Sequence, residues 1–224
     1  MRIDAITLFP EMFAPLDYSI VGRARKMSLL SFRAIQLRQY AINDYGQVDD
    51  RPFGGEPGMV LRPEPLANAI DATAVHAHGG KVVYLCADGV PFTQKHAKEL
   101  SQEAHLVLLC GHYKGIDERI RESRVDLEFS IGDYVVSGGE LPAMVLIDAV
   151  ARLLPGVLGD PASAETDSHS QGLLGWPVYT RPEIFENRAV PAVLLSGHHQ
   201  NIQQWQQEQA RERTRTRRPD LFIT

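Results

Sequence analysis

The sequence predicts an α/β fold in which a parallel sheet is flanked by helices. Strand-like and helix-like segments alternate from residue 2 to residue 154, an order typical of strands joined by crossover helices. Residues 106–110 form a continuous apolar run, which indicates a parallel strand that is buried on both faces. By spacing alone, these observations favour a doubly wound sheet without a knot, because knotted chains are rare.

Each element is predicted from its own residue pattern. Alternating or continuous apolar residues predict strands over residues 2–9, 30–37 and 81–86, in addition to the run at 106–110. Thr93 is a suitable N-cap for a helix, because a threonine hydroxyl can accept a hydrogen bond from an unpaired amide of the first turn. Helical spacing predicts helices over residues 18–30, 64–78, 93–102, 140–154 and 201–213.

Two strand-like runs each lead into a loop that contains glycine. The run at 106–110 is followed by Gly111 and Gly115, and the run at 131–136 is followed by the Ser-Gly-Gly segment 137–139. In open α/β sheets, ligands bind outside the carboxyl ends of the strands, and glycine lets the backbone approach a ligand closely. The sequence therefore predicts a small-molecule site that is built largely from main chain. No G-x-G-x-x-G fingerprint follows a strand, which argues against a Rossmann dinucleotide site.

Composition limits the classes of function. The net charge is −5 and the pI is about 5.9, so any nucleic-acid-binding surface must be a local patch. The two cysteines, Cys86 and Cys110, lie at the ends of apolar runs and are interpreted as thiols without chemistry. A chain that needs no disulfide framework suits a reducing cytoplasm, and we expect neither a signal peptide nor a membrane-spanning segment.

Three segments interrupt or follow the pattern of helices and strands. Residues 48–59 contain two prolines, three glycines and three acids, which exclude a central strand and indicate a surface turn. Residues 160–171 are acidic, small and polar, and they indicate a linker. The tail carries an arginine run, which is either a solvated helix face or a set of phosphate contacts. The arginine run consists of Arg211, Arg213, Arg215, Arg217 and Arg218.

Long stretches of the chain resemble one enzyme family. The stretches are Gly111-His-Tyr-Lys-Gly-Ile-Asp-Glu-Arg119, Ser130-Ile-Gly-Asp-Tyr-Val-Val-Ser-Gly-Gly-Glu-Leu-Pro142, Ile6-Thr-Leu-Phe-Pro-Glu-Met-Phe13 and Arg217-Arg-Pro219. They are similar to the signature sequences of the bacterial tRNA (guanine-37-N1)-methyltransferases, the TrmD family of the knotted SPOUT superfamily. Because the stretches span nearly the whole chain, the resemblance carries expectations for the fold, the chemistry and the partners.

The resemblance implies a C-terminal trefoil knot in the α/β domain, with S-adenosylmethionine as cofactor, Mg²⁺ dependence and tRNA as substrate. It implies a homodimer, because the family builds each site at the two-fold interface. It divides the chain into a knotted, S-adenosylmethionine-binding catalytic domain (1–159), a flexible interdomain linker (160–176) and a small, mostly helical tRNA-binding domain (177–224). In this family the loop at 48–59 is expected to face the substrate near the cofactor.

The resemblance also assigns the cofactor-binding residues, most of which contribute main chain. Leu85 and Val135 fit a purely structural role in the core equally well. The residues assigned to the cofactor are Tyr84, Leu85, Gly111, Tyr113, Gly115, Ile131, Gly132, Asp133, Tyr134, Val135, Val136, Ser137, Gly138, Gly139 and Pro142.

Two residues are assigned to catalysis. Taken alone, Asp167 is typical of a helix N-cap, and Arg152 is typical of a cation that interacts favourably with the C-terminal end of a helix. The resemblance matches Ser163-Ala-Glu-Thr-Asp167-Ser168 to a Ser-x-x-x-Asp-Ser pattern and makes Asp167 the general base, since guanine N1 must lose a proton before it attacks. It makes Arg152 the cation that stabilises the negative charge on guanine O6.

Three residues depart from the family pattern. Lys114 stands where glutamate is expected, His169 where phenylalanine is usual, and Gly175 where close relatives have aspartate. Because two of the lost side chains are carboxylates, the sequence does not predict where Mg²⁺ binds.

Other functions remain open at the level of sequence. One alternative is a SPOUT methyltransferase that acts on another RNA base or on a ribose 2′-OH, and a 2′-OH enzyme does not need Asp167 and Arg152 in this form. Another is a non-catalytic RNA-binding relative, which would be expected to lose Asp167 or a glycine loop. A generic α/β nucleotide-binding protein is a weaker third.

Overall fold

The computed structural model describes residues 1–160 and 166–222. It divides into two compact units, Met1–Gly159 and Asp160–Thr224. The functional roles predicted for the parts of the chain stay predictions, and the portion of the predicted linker at 161–165 lies outside the described residues. Within the described ranges, no helix is both long enough and apolar enough to cross a bilayer.

The first unit alternates strands and helices. Its strands are β1 (Arg2–Thr7), β2 (Ser31–Gln36), β3 (Asp49–Asp50), β4 (Val60–Leu61), β5 (Lys81–Pro91), β6 (His105–Cys110) and β7 (Leu127–Ser130). Its α-helices are α1 (Ser19–Lys26), α2 (Pro63–Thr73), α3 (Gln94–Leu100), α4 (Glu118–Arg124) and α5 (Glu140–Ala151). Further 3₁₀ helices cover Pro10–Asp17, Leu37–Tyr40 and His76–His78.

Five strands form one parallel sheet in the order β2-β1-β6-β5-β7. All six residues of β6 are buried. Because side chains alternate along a strand, Leu106 and Leu108 pack on one face with α1, α3 and α5, while Val107 and Leu109 pack on the other face with α2 and α4. The predicted parallel sheet flanked by helices is therefore confirmed, and the trefoil knot stays a prediction.

Several predicted boundaries were wrong, for local physical reasons. The strand predicted at 81–86 continues to Pro91, since an irregularity between Leu85 and Val90 lets it pair again with β7. The strand-like run at 131–136 is a loop after β7, and Val135 is 87% exposed. The helix predicted at 18–30 is shorter, because α1 ends at Lys26, and Met27 beyond it is 48% exposed.

Other boundaries shift by less. The predicted helix at 64–78 stops as an α-helix at Thr73, because Ala74 adopts a left-handed conformation with φ of 55°. The segment at 48–59 contains only the two-residue β3, which agrees with the exclusion of a central strand. Thr93 lies at the N-cap of α3 as predicted, and its amide donates to Nδ1 of His96 at 3.2 Å.

The second unit contains more than helix. Its elements are β8 (Ile184–Phe185), β9 (Arg188–Ala189), α6 (Ala192–Leu195), α7 (His199–Arg217) and a 3₁₀ helix at Pro219–Phe222. The antiparallel pair β8–β9 was not predicted, and α7 extends beyond the expected 201–213 at both ends. Residues 166–176 are hydrogen-bonded to α7, since the Leu174 amide donates to Thr214 Oγ1 at 2.9 Å.

A buried carboxylate stands at the N-terminal edge of the main sheet. Asp4 is fully buried and bonds Arg2, Arg33 and His105, with His105 Nε2 3.0 Å from Asp4 Oδ2. Burial raises the pKa of Asp4, but the hydrogen bonds from Arg33, His105 and Arg2 outweigh burial, and the net pKa is lowered. Burial lowers the pKa of His105, so its imidazole is neutral near pH 7 and donates to Asp4 through Nε2.

Asp4→Asn is expected to lower the free energy of unfolding by about 2 kcal/mol at pH 7, because it breaks a buried ion pair whose arginines are partly screened by solvent. A carboxyl whose pKa is lowered by folding stabilises the protein above its unfolded pKa, about 3.8. That contribution is lost as the pH falls through the folded value. Urea unfolding at pH 7, 5 and 3 measures the difference, which should shrink at the lowest pH. Asp71→Asn breaks the exposed pair with Arg124 and serves as control. An equal effect of the two substitutions would contradict the assignment.

Candidate active site

A cleft opens at the C-terminal edge of the sheet, where the irregular stretch of β5 after Leu85 meets the loops that follow β6 and β7. The sequence placed ligand-binding loops at this edge. Most of the predicted cofactor residues lie on its walls: Leu85, Gly111, Tyr113, Gly115, Ile131, Gly132, Tyr134, Val135, Val136, Ser137, Gly138 and Pro142. Of the remaining three, Tyr84 lies behind Gly111, Asp133 belongs to the same loop, and Gly139 adjoins the wall at Gly138. The structure thus brings the predicted residues together, and their binding roles stay predictions.

Sequence reasoning missed several residues that line the same cleft. They are Cys86, Ala87, Asp88, His112, Lys114, Phe129 and Ser130. Their positions give the signal that could have identified them, because each lies close in sequence to a predicted cofactor residue. His112, for example, lies between Gly111 and Tyr113 in the first glycine loop.

The two glycine loops approach each other at backbone distance. The Gly139 amide donates to the Gly111 carbonyl at 2.9 Å, and His112 pairs with Gly138 in a short antiparallel bridge. A Cβ added at Gly138 would lie 2.3 Å from the His112 ring, and one added at Gly139 would lie 2.5 Å from the Cys110 Cα. Only glycine fits this approach, and the cleft wall is therefore largely main chain.

The third loop is fixed by its own hydrogen bonds. The Ser130 hydroxyl donates to the Gly132 carbonyl at 3.0 Å and accepts the Gly132 amide at 3.2 Å. Gly132 has a φ of 154°, and a Cβ there would lie 2.4 Å from the Tyr134 ring. These bonds turn the chain out of β7 at Ser130, which explains why residues 131–136 form a loop and not a strand.

Charged side chains occupy one side of the cleft. Asp88 bonds Arg121 at 2.9 Å, and the Arg121 guanidinium also bonds Glu128 at 2.6 Å and lies over the Tyr84 ring. Burial raises the pKa of Asp88, but the hydrogen bonds from Arg121 and Cys86 outweigh it and the net pKa is lowered. The carboxylate at this wall is therefore ionised and paired near neutral pH.

Neither cysteine offers a thiolate at neutral pH. Burial, assisted by Asp88, raises the pKa of Cys86 to about 12. Burial and the nearby Glu140 raise the pKa of Cys110 well above its usual value. Both shifts support the interpretation that the thiols carry no chemistry.

The described residues do not fit the predicted Mg²⁺. Within residues 1–160 and 166–222, no group of three or more His, Cys, Asp or Glu side chains could hold a metal ion. Among the described residues that line the cleft, Asp88 is the sole Asp or Glu, and its carboxylate is bonded to Arg121. Lys114 brings an ammonium group to the cleft where the family pattern has an acid, and a cation at that position opposes metal binding.

The two predicted catalytic residues belong to different units. Arg152 is the C-cap of α5, and its amide donates to the Asp148 carbonyl at 3.2 Å. Asp167 lines a second cavity, formed by residues 166–176 and α7 and including Arg211. Asp167 begins a hydrogen-bonded turn, since its carbonyl accepts the Ser170 amide at 3.2 Å. The pairing of the two side chains on one substrate stays a prediction.

Comparison with known proteins gives one consistent result. The family model described as tRNA (Guanine-1)-methyltransferase TrmD matches residues 1–224. Curated relatives named tRNA (guanine-N(1)-)-methyltransferase include one from Desulforamulus reducens, 53% identical over 99% of this chain and 89% of the relative. Another, from Halalkalibacterium halodurans, is 54% identical over 99% of this chain and 91% of the relative. A third, from Neisseria meningitidis serogroup C, is 53% identical over 99% and 90%.

Proposed function

The chain belongs to the tRNA (guanine-1)-methyltransferase family, and from this premise we propose that it methylates N1 of guanosine 37 in tRNA with S-adenosylmethionine. The observation that carries the proposal is the meeting of two glycine loops at the C-terminal edge of a parallel sheet. Parallel α/β sheets bind small molecules at this edge. The enzyme acts on tRNA, and a cytoplasmic location is part of the proposal.

The cleft fits a cofactor that is held mainly by backbone groups. At Gly111 an added Cβ would lie 2.9 Å from the Tyr84 ring, so only glycine fits there and the wall at this point is backbone. We assign the main chain of residues 131–136, with Gly111, to the adenine and ribose of the cofactor. When bound, S-adenosylmethionine supplies an electrophilic methyl group. The loops contribute by positioning, which places the methyl group in line with the attacking nitrogen.

Asp167 and Arg152 perform the acid–base part of the proposed reaction. Asp167 accepts the proton from guanine N1, which makes N1 nucleophilic. The negative charge that results is shared with O6, and the Arg152 guanidinium stabilises it there. The two residues thus act on neighbouring atoms of one base.

The decisive experiment follows the methyl group. The protein is incubated with methyl-labelled S-adenosylmethionine and tRNA transcripts that carry either guanosine or adenosine at position 37, and the modified nucleoside is identified. The proposal expects 1-methylguanosine from the first transcript and no label in the second. Label in a ribose, or in a different base of both transcripts, would assign the chain another substrate.

We further propose that the enzyme is a homodimer in which each site contains residues of both subunits. Asp167→Asn and Gly139→Trp are each expected to inactivate the protein. In a heterodimer of the two variants, one site carries both lesions and the other carries neither. Random mixing gives about half heterodimers, so about a quarter of all sites regain activity. Activity that stays at the level of the separate variants, despite proven heterodimers, would return each site to a single subunit.

The arginine run is proposed to bind tRNA phosphates. Arg215 and Arg218 form ion pairs with Glu212 and Asp220, and the two arginine side chains are 69% and 47% exposed. Replacing Arg215, Arg217 and Arg218 with glutamine should weaken tRNA binding and reduce the slope of log affinity against log salt by about one per lost contact. Filter-binding assays at salt concentrations from about 50 to about 200 mM test this prediction. Arg124→Gln in the first unit removes one charge outside the run and is the control. Equal slopes for the triple variant, the control and the wild-type protein would indicate a solvated face.

A further inference from the structure

A buried polar network reaches the cleft through His112. Thr7 is fully buried and Glu140 is 1% exposed. The Thr7 hydroxyl donates to Glu140 Oε1 at 2.6 Å, and His112 Nε2 lies 2.8 Å from Glu140 Oε2 and 3.0 Å from Oε1. Thr7 Oγ1 accepts the Phe9 amide at 2.9 Å. Hydrogen bonds therefore run without a break from the backbone after β1 to the imidazole on the cleft wall.

The direction of these hydrogen bonds fixes the role of each group. The Thr7 hydroxyl accepts from Phe9 and donates its own hydrogen to Glu140. A carboxylate accepts hydrogen bonds and does not donate them, so His112 must carry a hydrogen on Nε2. Removal of either donor leaves part of a buried carboxylate without a partner, which is unfavourable.

The network joins three separate parts of the chain at the cleft. Thr7 is the last residue of β1, His112 lies in the glycine loop after β6, and Glu140 is the first residue of α5 after the second glycine loop. Gly138 packs closely between His112 and Glu140. An added Cβ at Gly138 would lie 2.3 Å from His112 Nε2 and 2.7 Å from Glu140 Oε2. The distance between the glycine loops is thus set where the His112–Glu140 bond forms.

We propose that Thr7, His112 and Glu140 are positioning residues that hold the two glycine loops in the arrangement that binds the cofactor. The inference rests on the proposed function. A buried ionic network is a weak source of stability, since apolar residues of similar volume can often replace it. Because the walls of this cleft are backbone, its shape depends on the positions of the loops. A shift of a fraction of an ångström in a loop weakens binding.

One strand of the sheet provides both the test and its control. His112 follows the C-terminal end of β6 and bonds Glu140, whereas His105 begins β6 and bonds buried Asp4 at 3.0 Å. His112→Leu and His105→Leu each remove an imidazole donor from a buried carboxylate, and the two sites lie at opposite edges of the sheet. His112→Arg keeps a donor for Glu140, because a guanidinium can bond both carboxylate oxygens.

The measurements are calorimetric affinity for S-adenosylmethionine, the midpoint of thermal unfolding, and separate KM values for cofactor and tRNA. His112→Leu should weaken cofactor affinity by at least about tenfold, the effect of leaving one buried partner unpaired. The KM for tRNA should stay within about twofold of the wild-type value, since the loops hold only the cofactor. His105→Leu should lower the unfolding midpoint with cofactor affinity retained, and His112→Arg should recover most of the affinity that His112→Leu loses.

Equal changes in cofactor affinity for His112→Leu and His105→Leu would overturn the proposal, because they would show a general loss of stability. Unchanged affinity in His112→Leu would overturn it as well. Failure of the proposed function gives a different result, since the wild-type protein would then either bind no S-adenosylmethionine or transfer no methyl group to guanosine 37.

Discussion

Asp167→Asn is expected to reduce single-turnover methyl transfer by about 10²- to 10⁴-fold, the range that a positioned general base contributes. Asparagine has nearly the same shape as aspartate but cannot accept the proton from guanine N1. Cofactor affinity should be unchanged, because the cleft walls belong to the first unit and Asp167 lies in the second. Rapid-quench assays with saturating tRNA and cofactor measure the chemical step directly.

The control for Asp167→Asn lies in the same part of the chain. Asp160→Asn also removes one carboxylate from the segment predicted as a linker, and it should retain wild-type turnover. Wild-type single-turnover rates in the Asp167 variant would eliminate Asp167 as the base. A loss of cofactor affinity equal to the loss of rate would make it a binding residue.

Arg152 should show the complementary behaviour. Arg152→Ala removes the cation proposed for guanine O6, so turnover should fall with little change in cofactor affinity. Arg152→Lys keeps the charge but not the planar guanidinium, and an intermediate rate is expected if geometry contributes besides charge. A defect confined to cofactor affinity would show that the O6 role is wrong.

The sequence predicted well where one physical effect dominates. Residues 106–110 have no polar side chain, and a strand that is buried on both faces is the natural outcome for such a run. The sheet at β6 and the place of the ligand cleft followed from this and from the glycines beyond it. Local composition also excluded a central strand over residues 48–59. Proline cannot donate a hydrogen bond to a neighbouring strand, and glycine leaves the backbone without the restraint that favours a strand.

The sequence failed where particular hydrogen bonds or strand pairings override the general residue pattern. Residues 131–136 have the residue types of a strand, but the Ser130 hydroxyl bonds both the amide and the carbonyl of Gly132 and turns the chain out of β7. Likewise β5 continues past Cys86 because β7 offers a second pairing segment after the irregularity. Val90 and its partner Phe129 are far apart in sequence, so no pattern within a short window contains this second pairing.

The same reason explains the missed site residues. His112 and Glu140 are separated by 28 positions and Thr7 and Glu140 by 133. Each of these side chains is ordinary in its own segment, and their common function emerges only when three strand and helix ends meet. Lys114 was noted in the sequence as a departure, and the structure adds that it reaches the cleft wall.

Gly139→Ala is expected to lower cofactor affinity by about 10²-fold, since a displacement of about 1 Å in a binding loop has an effect of that order. The backbone at Gly139 has φ of −76° and ψ of −6°, which alanine adopts freely, so conformational strain does not contribute. The added Cβ would lie 2.5 Å from the Cys110 Cα and 2.9 Å from the Gly111 amide nitrogen. Both contacts are with backbone, which cannot rotate away, and the loops must separate.

Gly159→Ala is the matched control, because an added Cβ there meets no atom within 4 Å. Overpacking is expected to destabilise the Gly139 variant by about 1–3 kcal/mol, so cofactor affinity is measured well below its unfolding midpoint. The Gly139–Gly111 hydrogen bond, 2.9 Å in the native chain, should also lose its protection in amide exchange, whereas the exchange of α5 beyond its first turn should be little changed. Native affinity in Gly139→Ala would mean that the distance between the two loops does not control the cleft, and the proposed main-chain site would have to be abandoned.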